Sequence, residues 1–305
     1  MIKRTLVFQS RGYLHLRDCQ LVWTPKEGGE EATVPIEDIG FLLLDSQSVT
    51  LSTGLLQALT EANAAVVVCD HRHMPAGYLL PLSDHSLATR YLQDQIALTE
   101  ARRNRLWKQV VQAKLRNQAR AIRLLAPELE RRLRVMADDV KNGDPENLEG
   151  QAARLYFSAF VRRWPDFNAR HSDAMPNPAL DYGYALLRAA VARAIVSSGL
   201  QPALGLHHHN QYNAFCLADD LMEPYRPFVD ELVICSSDNL PPRLSDEPPV
   251  LDPAEKRLLL PVLVRDVQME SVVRPLMNAI SITTASLVRA IRGIQDALEL
   301  PSFPS

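Results

Sequence analysis

No stretch of the chain approaches eighteen uninterrupted apolar residues, so a transmembrane helix is not expected. The opening MIKRTLVFQSRGYLHL has neither the apolar block nor the cleavage site of a signal peptide, which makes the cytoplasm the expected location. Four cysteines, Cys19, Cys69, Cys216 and Cys235, are scattered and form no CxxC pair. That argues against a zinc site and for buried, reduced thiols. The phosphate-binding patterns GxGxxG and GxxxxGKS/T and the metalloprotease pattern HExxH are absent. No internal repeat, heptad run or low-complexity tract appears. The 305 residues are enough for two domains or one large one, with a sizeable core.

Positive charge is also short overall. With 33 basic and 36 acidic residues, the net charge of −3 taken alone argues against a nucleic-acid partner. The distribution reverses that argument. Residues 100–135 hold eleven Arg or Lys against three Asp or Glu, a local excess of eight. A basic helical segment on an acidic body points to a localised polyanion surface; a solvated helix face is the alternative. Arg102, Arg103, Arg105 and Lys108 lead this segment and are the candidate DNA-binding residues.

Residues 1–80 read as strands. Thr5–Phe8, Gly12–Leu16, Gln20–Trp23, Phe41–Leu44 and Val49–Leu51 are short apolar or alternating runs, separated by breakers such as Gly28-Gly29. Residues 54–63 have the spacing of one helix. Ala65–Cys69 is a continuous apolar run, the mark of a strand buried on both faces, and residues 77–82 close the region. His71 and His73 stand at i, i+2 and read as a ligand pair or as decoration of a surface loop. A polar boundary at 82–88, with Asp84 or Ser86 as a helix cap, divides the chain into a β-rich domain over 1–84 and a helical one over 85–305.

From Leu87 to Arg134 there is no glycine and the period is helical, with Trp107 read as a core anchor. Asp144 and Pro145 predict the start of a helix running to Arg162, with Glu149 in its second turn. Gly150 inside that helix needs a reason, either close approach of a backbone or substrate or tight packing. Glu149 taken alone reads as an ordinary carboxylate at a helix N-terminus, favoured by the helix dipole. A helix over 177–198 is apolar around much of its circumference. Residues 238–253 hold five prolines and are expected to be a loop. Helices over 254–270 and 275–299 are expected to finish the chain.

The organising stretch is Gly205 to Asp230. His207, His208 and His209 lie in a polar loop, and Asp219, Asp220 and Glu223 follow on a predicted helix. Loop histidines facing helical carboxylates are metal-site chemistry. Asp220 and Glu223 share a face at i, i+3. Pro224 is expected to free the Asp220 carbonyl and kink the helix, re-aiming Glu223. A surface acidic patch paired with Arg226 is the alternative.

Three blocks carry a family resemblance: Glu149-Gly150-Gln151-Ala152-Ala153-Arg154 with Tyr156; Asn177-Pro178-Ala179-Leu180-Asp181-Tyr182-Gly183-Tyr184; and Leu204-Gly205-Leu206-His207-His208 followed by Leu217 to Pro227, including DLMEPYRP. In this order and spacing the chain resembles the CRISPR-associated adaptation integrase/endonuclease family (Cas-one). The doubled histidine after Gly-Leu and the short length look like the type II subgroup, found beside Cas-nine-type effectors. The resemblance implies an α+β protein, with a small N-terminal β-sandwich-like dimerisation domain and a larger all-α catalytic domain. It assigns Glu149, His208 and Glu223 as divalent-metal ligands and catalytic residues, with Asp220 as an accessory acid. Two carboxylates and an imidazole suit Mg²⁺ or Mn²⁺, and no thiolate favours zinc; His208 is alternatively a general acid.

The implied function is spacer acquisition in antiviral defence. The 3′-hydroxyl of a double-stranded protospacer end attacks a phosphodiester at the edge of a CRISPR repeat. The implied partners are DNA, a second copy in a homodimer, the small second Cas protein (Cas-two) in a heterohexamer, and the effector nuclease. Competing readings are a metal-dependent nuclease that hydrolyses branched DNA, a DNA-binding scaffold with an inert acidic cluster, and a small-molecule metal hydrolase. The last is disfavoured by the basic segment.

Overall fold

Short alternating runs build the first unit and long helical periods the second. The computed structural model describes residues 3–81, 85–167, 174–240 and 250–304. The chain divides into Met1–Ser86 and Leu87–Ser305, two residues past the expected boundary.

The first unit contains β1 (Arg4–Phe8), β2 (Gly12–Arg17), β3 (Gln20–Pro25), β4 (Ala32–Pro35), β5 (Ile39–Leu44), β6 (Val49–Leu51), helix α1 (Thr53–Glu61), β7 (Ala65–Cys69) and β8 (Pro75–Leu79). Two four-stranded sheets result, in the orders β1-β5-β7-β8 and β4-β3-β2-β6. One core joins them: Leu14 and Leu21 from the second sheet meet Leu42 and Val66 from the first, with Leu55 and Leu59 of α1. β5 lies between parallel neighbours and is buried at all six positions. It is therefore the strand covered most completely, whereas β7 leaves Val68 exposed. The four-residue β4 is absent from the sequence reading. Asp84 lies outside the described residues.

The second unit contains α2 (Ala88–Ile96), α3 (Glu100–Ala121), α4 (Glu130–Asp139), α5 (Leu148–Ser158), α6 (Asn177–Ser197), α7 (Cys216–Met222), α8 (Arg226–Cys235), α9 (Pro253–Leu259), the strands β9 (Asp266–Met269) and β10 (Val272–Pro275), and α10 (Leu276–Ile291). With 22 residues, α3 packs against α4, α5, α7, α8 and the turn that joins the last two. α6 is buried around most of its circumference and ends at Gly199, whose φ of 76° closes the helix.

Several sequence expectations change. The helix expected over 254–270 begins with an Asp252–Glu255 capping box but stops at Leu259. β9 and β10 follow as an antiparallel hairpin, with Glu270 at a φ of 51° in the turn. The helix expected from Pro145 to Arg162 is α5, which starts at Leu148. All four cysteines are free, but only Cys69 and Cys216 are buried; Cys19 and Cys235 are exposed. Of the proline-rich loop, residues 241–249 lie outside the described residues.

Candidate functional site

Glu149 is set by a doubled cap. Asp144 accepts the Leu148 and Glu149 amides, both at 2.9 Å. Asn147, left-handed at a φ of 52°, accepts the Gly150 amide at 3.1 Å. Asp144 therefore serves the helix from outside it, Asn147 is the N-cap, and Glu149 falls in the first turn. This also explains Gly150: a Cβ there would come within 2.7 Å of the Asn147 side-chain oxygen. The residue that excludes a side chain is the cap, not a substrate or a packed helix.

Glu223 is set by proline. α7 stops at Met222, the segment Glu223–Tyr225 is a tighter 3₁₀ turn, and α8 resumes at Arg226. The Asp220 carbonyl, expected to be free beside Pro224, instead accepts the Glu223 amide. The tighter turn re-pairs the carbonyl that proline leaves behind. The Pro224 carbonyl accepts Asn117 Nδ2 at 2.8 Å, which ties this turn to α3. Glu223 is buried, and Arg226 Nη1 lies 2.7 Å from its Oε1. The Arg226 guanidinium in turn sits 4.3 Å above the Tyr184 ring.

Asp220 organises the histidine loop. It is fully buried and accepts the amides of Leu206, His207 and His208 at 2.5, 3.0 and 3.2 Å. It also accepts His208 Nδ1–H at 2.6 Å. Gly205 makes the close approach possible, since a Cβ there would lie 2.3 Å from the His208 carbonyl oxygen and 2.9 Å from Asp220 Oδ2. Pinning Nδ1 leaves Nε2 of a half-exposed ring as the outward nitrogen. This is the orientation in which a carboxylate holds a histidine for a metal or a proton transfer. His207 instead stacks on Trp107, with 4.4 Å between centroids and 3° between planes, and His208 meets the same ring edge-on at 5.9 Å. Asp219 points elsewhere, to Arg188 at 2.8 Å and Asn213 at 2.6 Å.

Lys114 is the residue that sequence reasoning assigned to the wrong role. Counted with the basic surface of α3, it is in fact buried, and its ammonium forms ion pairs with both Glu149 and Glu223. It lies seven residues after Trp107, so one stripe of α3 faces the histidine loop and both carboxylates. The available signal was a lysine in helical phase with Trp107, Val110, Val111 and Ala121, although Arg103 and Gln118 share that stripe.

The electrostatics follow from these contacts. Burial pushes the Glu223 carboxyl up, but Arg226 and Lys114 outweigh it and hold the group down at about 2. Burial likewise works against the Lys114 ammonium, and the two glutamates overcome it and raise its pKa. The Asp220 hydrogen bond raises His208, whereas burial lowers His207.

The donor set fits a hard divalent cation in chemistry. Glu223 Oε2 meets Lys114 without hydrogen-bond alignment, His208 Nε2 is turned outward, and an ammonium already stands between the two carboxylates as a stand-in cation. As arranged, no group of three His, Cys, Asp or Glu among the described residues is disposed to hold an ion. Of the four DNA-binding candidates, Arg103 lies one turn before Trp107 on the same stripe, whereas Arg102, Arg105 and Lys108 lie off it. Arg102 is 3.9 Å from Asp296. His73 Nδ1 is occupied by Asp45 at 2.9 Å, which favours the loop reading of that histidine. Among the described residues, no helix is long and apolar enough to cross a membrane.

Comparison with known proteins identifies the family. The family model described as CRISPR associated protein Cas1 matches residues 5–239, which include Lys114, Glu149, His208, Asp220 and Glu223. The chain is 39% identical over 235 residues to a CRISPR-associated endonuclease Cas1 of Neisseria meningitidis, covering 77% of this chain and 76% of that one. It is 32% identical over 225 residues to one of Pyrobaculum aerophilum, covering 68% and 74%. Among solved structures, a casposase bound to integration product superposes with a TM-score of 0.81 at 21% identity, covering 98% and 93% of the two chains. A CAS1 protein from Thermotoga maritima gives 0.74 at 18% identity, covering 99% of each. The family model and the Neisseria relative each span about three quarters of the chain, and the chain belongs to the CRISPR-associated protein Cas1 family.

Proposed function

We propose that this chain is a metal-dependent integrase of CRISPR adaptation, which joins protospacer 3′-hydroxyl ends to phosphodiesters at the edge of a CRISPR repeat. The observation that carries the reading is the convergence of Glu149 and Glu223, from helices far apart in sequence, on one cation. Beside them His208 is locked by Asp220. Relatives named endonucleases, and a fold shared with a casposase bound to integration product, support it.

In this reading Glu149, His208 and Glu223 hold Mg²⁺ or Mn²⁺, which when bound neutralises charge on the scissile phosphate. The chain's own residues do the rest. Asp220 fixes the His208 tautomer so that Nε2 faces the reacting oxygens, as ligand or as proton donor to the leaving 3′-oxygen. Arg226 keeps Glu223 ionised. Arg102, Arg103, Arg105 and Lys108 contact DNA phosphates. One phosphorus–oxygen bond forms as another breaks, so no covalent protein intermediate is required.

The proposed assembly is a homodimer formed through the β-rich unit, two such dimers flanking a dimer of Cas2, with the effector nuclease as a further partner in the cytoplasm. Solved complexes that contain Cas1 and Cas2 share this fold, with a TM-score of 0.71 and 18% identity over 98% of this chain and 36% of that one. Hydrolysis of branched DNA is the second reading, favoured by the endonuclease name of the relatives. Product analysis separates the two. Incubated with Cas2, Mn²⁺ or Mg²⁺ and a supercoiled repeat plasmid, a labelled duplex becomes joined to the plasmid if the chain is an integrase. Cutting without joining establishes the hydrolytic reading.

A further inference from the structure

The site holds a cation that belongs to the protein. The Lys114 ammonium pairs with one oxygen of Glu149 and one of Glu223, and its side chain is 6% exposed, as is that of Glu223. A divalent ion bound by these two glutamates needs the same space between the same oxygens, at about 2.0–2.6 Å from each. Two cations cannot share it, because both need the same oxygens and the burial of Lys114 and Glu223 leaves their repulsion weakly screened.

The geometry points to Lys114 and the divalent metal as alternative occupants of one position. This rests on the metal reading of the previous subsection and adds a regulatory consequence to it. Without metal, the site is a closed set of two carboxylates and two cations, Lys114 and Arg226, and the buried charges are matched. Metal binding then requires the lysine to withdraw, and its flexible four-carbon stem allows that. The lysine therefore weakens metal affinity and keeps the carboxylates together until an ion arrives. Arg226 contacts the other oxygen of Glu223, is braced on Tyr184, and stays in place.

Two measurements test this, and neither depends on activity. In the first, Mn²⁺ binding is followed by the electron paramagnetic resonance of the free ion in wild type, Lys114→Met and Glu149→Gln. Removing the competing charge is expected to tighten binding by roughly tenfold or more in Lys114→Met, while Glu149→Gln loses it. In the second, wild-type protein is reductively methylated and mapped by mass spectrometry, with Lys26 and Lys141 as exposed references. Lys114 is expected to be protected without metal and to become reactive at saturating Mg²⁺. This second arm decides the matter if Lys114→Met does not fold.

Wild-type binding with equal or weaker affinity in the folded methionine variant overturns the exchange and leaves the metal reading standing. So does a Lys114 that stays protected when metal is bound. No Mn²⁺ binding by either folded protein overturns both.

Discussion

Among the described residues of the first unit, one charged side chain, Asp45, is buried, and it is answered by Gln9 at 3.2 Å and by His73. The helical unit buries Lys114, Asp144, Asp220, Glu223, Asp230, Glu255 and Lys256. Buried charge is costly unless paired, and a helical unit has no general need of it. Four of the seven belong to one place: Asp144 sets Glu149, Asp220 sets His208, and Lys114 joins the two glutamates. Asp230, held by Tyr156 at 3.0 Å and by Tyr184, braces the ring that carries Arg226. The contrast separates a unit stabilised by apolar burial from one whose interior is spent on holding charges in position.

The largest expected effects come from breaking the charge set. Lys114→Ala and Glu223→Ala each leave a buried charge uncompensated and should each lower stability by about 3–5 kcal/mol in urea titrations. Asp45→Ala in the first unit should cost about 1–3 kcal/mol. Equal losses in the two units would break the comparison. Combining Lys114→Met with Glu223→Gln should cost less than the sum of the single changes, because charge is removed from both sides.

Next comes Asp220. Its replacement by alanine releases three amides and a histidine, and should cost about 3 kcal/mol. Asp220→Asn should lower the His208 pKa toward the ordinary histidine value in an NMR titration. The sign follows from the raised folded value. The His208–Asp220 pair stabilises the protein below the ordinary histidine pKa, and that contribution disappears as pH rises through the raised one. Asp220→Asn should flatten this slope.

Smaller again is Trp107→Leu, which removes the stack under His207 and should cost about 1 kcal/mol beyond its buried area. The smallest effects come from the basic residues of α3. Arg103→Glu and Arg105→Glu should each reduce the slope of DNA affinity against salt by about one.

Much of this was legible in the sequence, for reasons that differ by element. The alternation of apolar residues in β2 fixes its faces, β1 and β3 show as short apolar clusters between breakers, and β5 and β7 announce themselves as continuous apolar runs. The hairpin β9–β10 was hidden because four-residue strands ending in Pro275 look like parts of a helical period. The start of α5 slipped by three residues because Asn147 adopts a left-handed conformation that Asp144 and Pro145 do not foretell. Within the site, Glu149, His208 and Glu223 stand in motifs of characteristic spacing. Lys114 stands in none, and in a run of eleven basic residues its charge looks like surface. Only the helical phase relative to Trp107 turns it inward, and only the tertiary fold brings both glutamates to it.

The proposed strand-transfer site requires Glu149, His208 and Glu223 to act together. The direct measurement is joining of a labelled 3′-hydroxyl duplex to a repeat plasmid by wild type, Glu149→Gln, His208→Ala and Glu223→Gln, with Cas2 and Mn²⁺ present. Each variant is first shown to be folded by circular dichroism. Joining by wild type and its loss, by a hundredfold or more, in all three variants is the expected result. Joining that persists in any folded variant would contradict the claim.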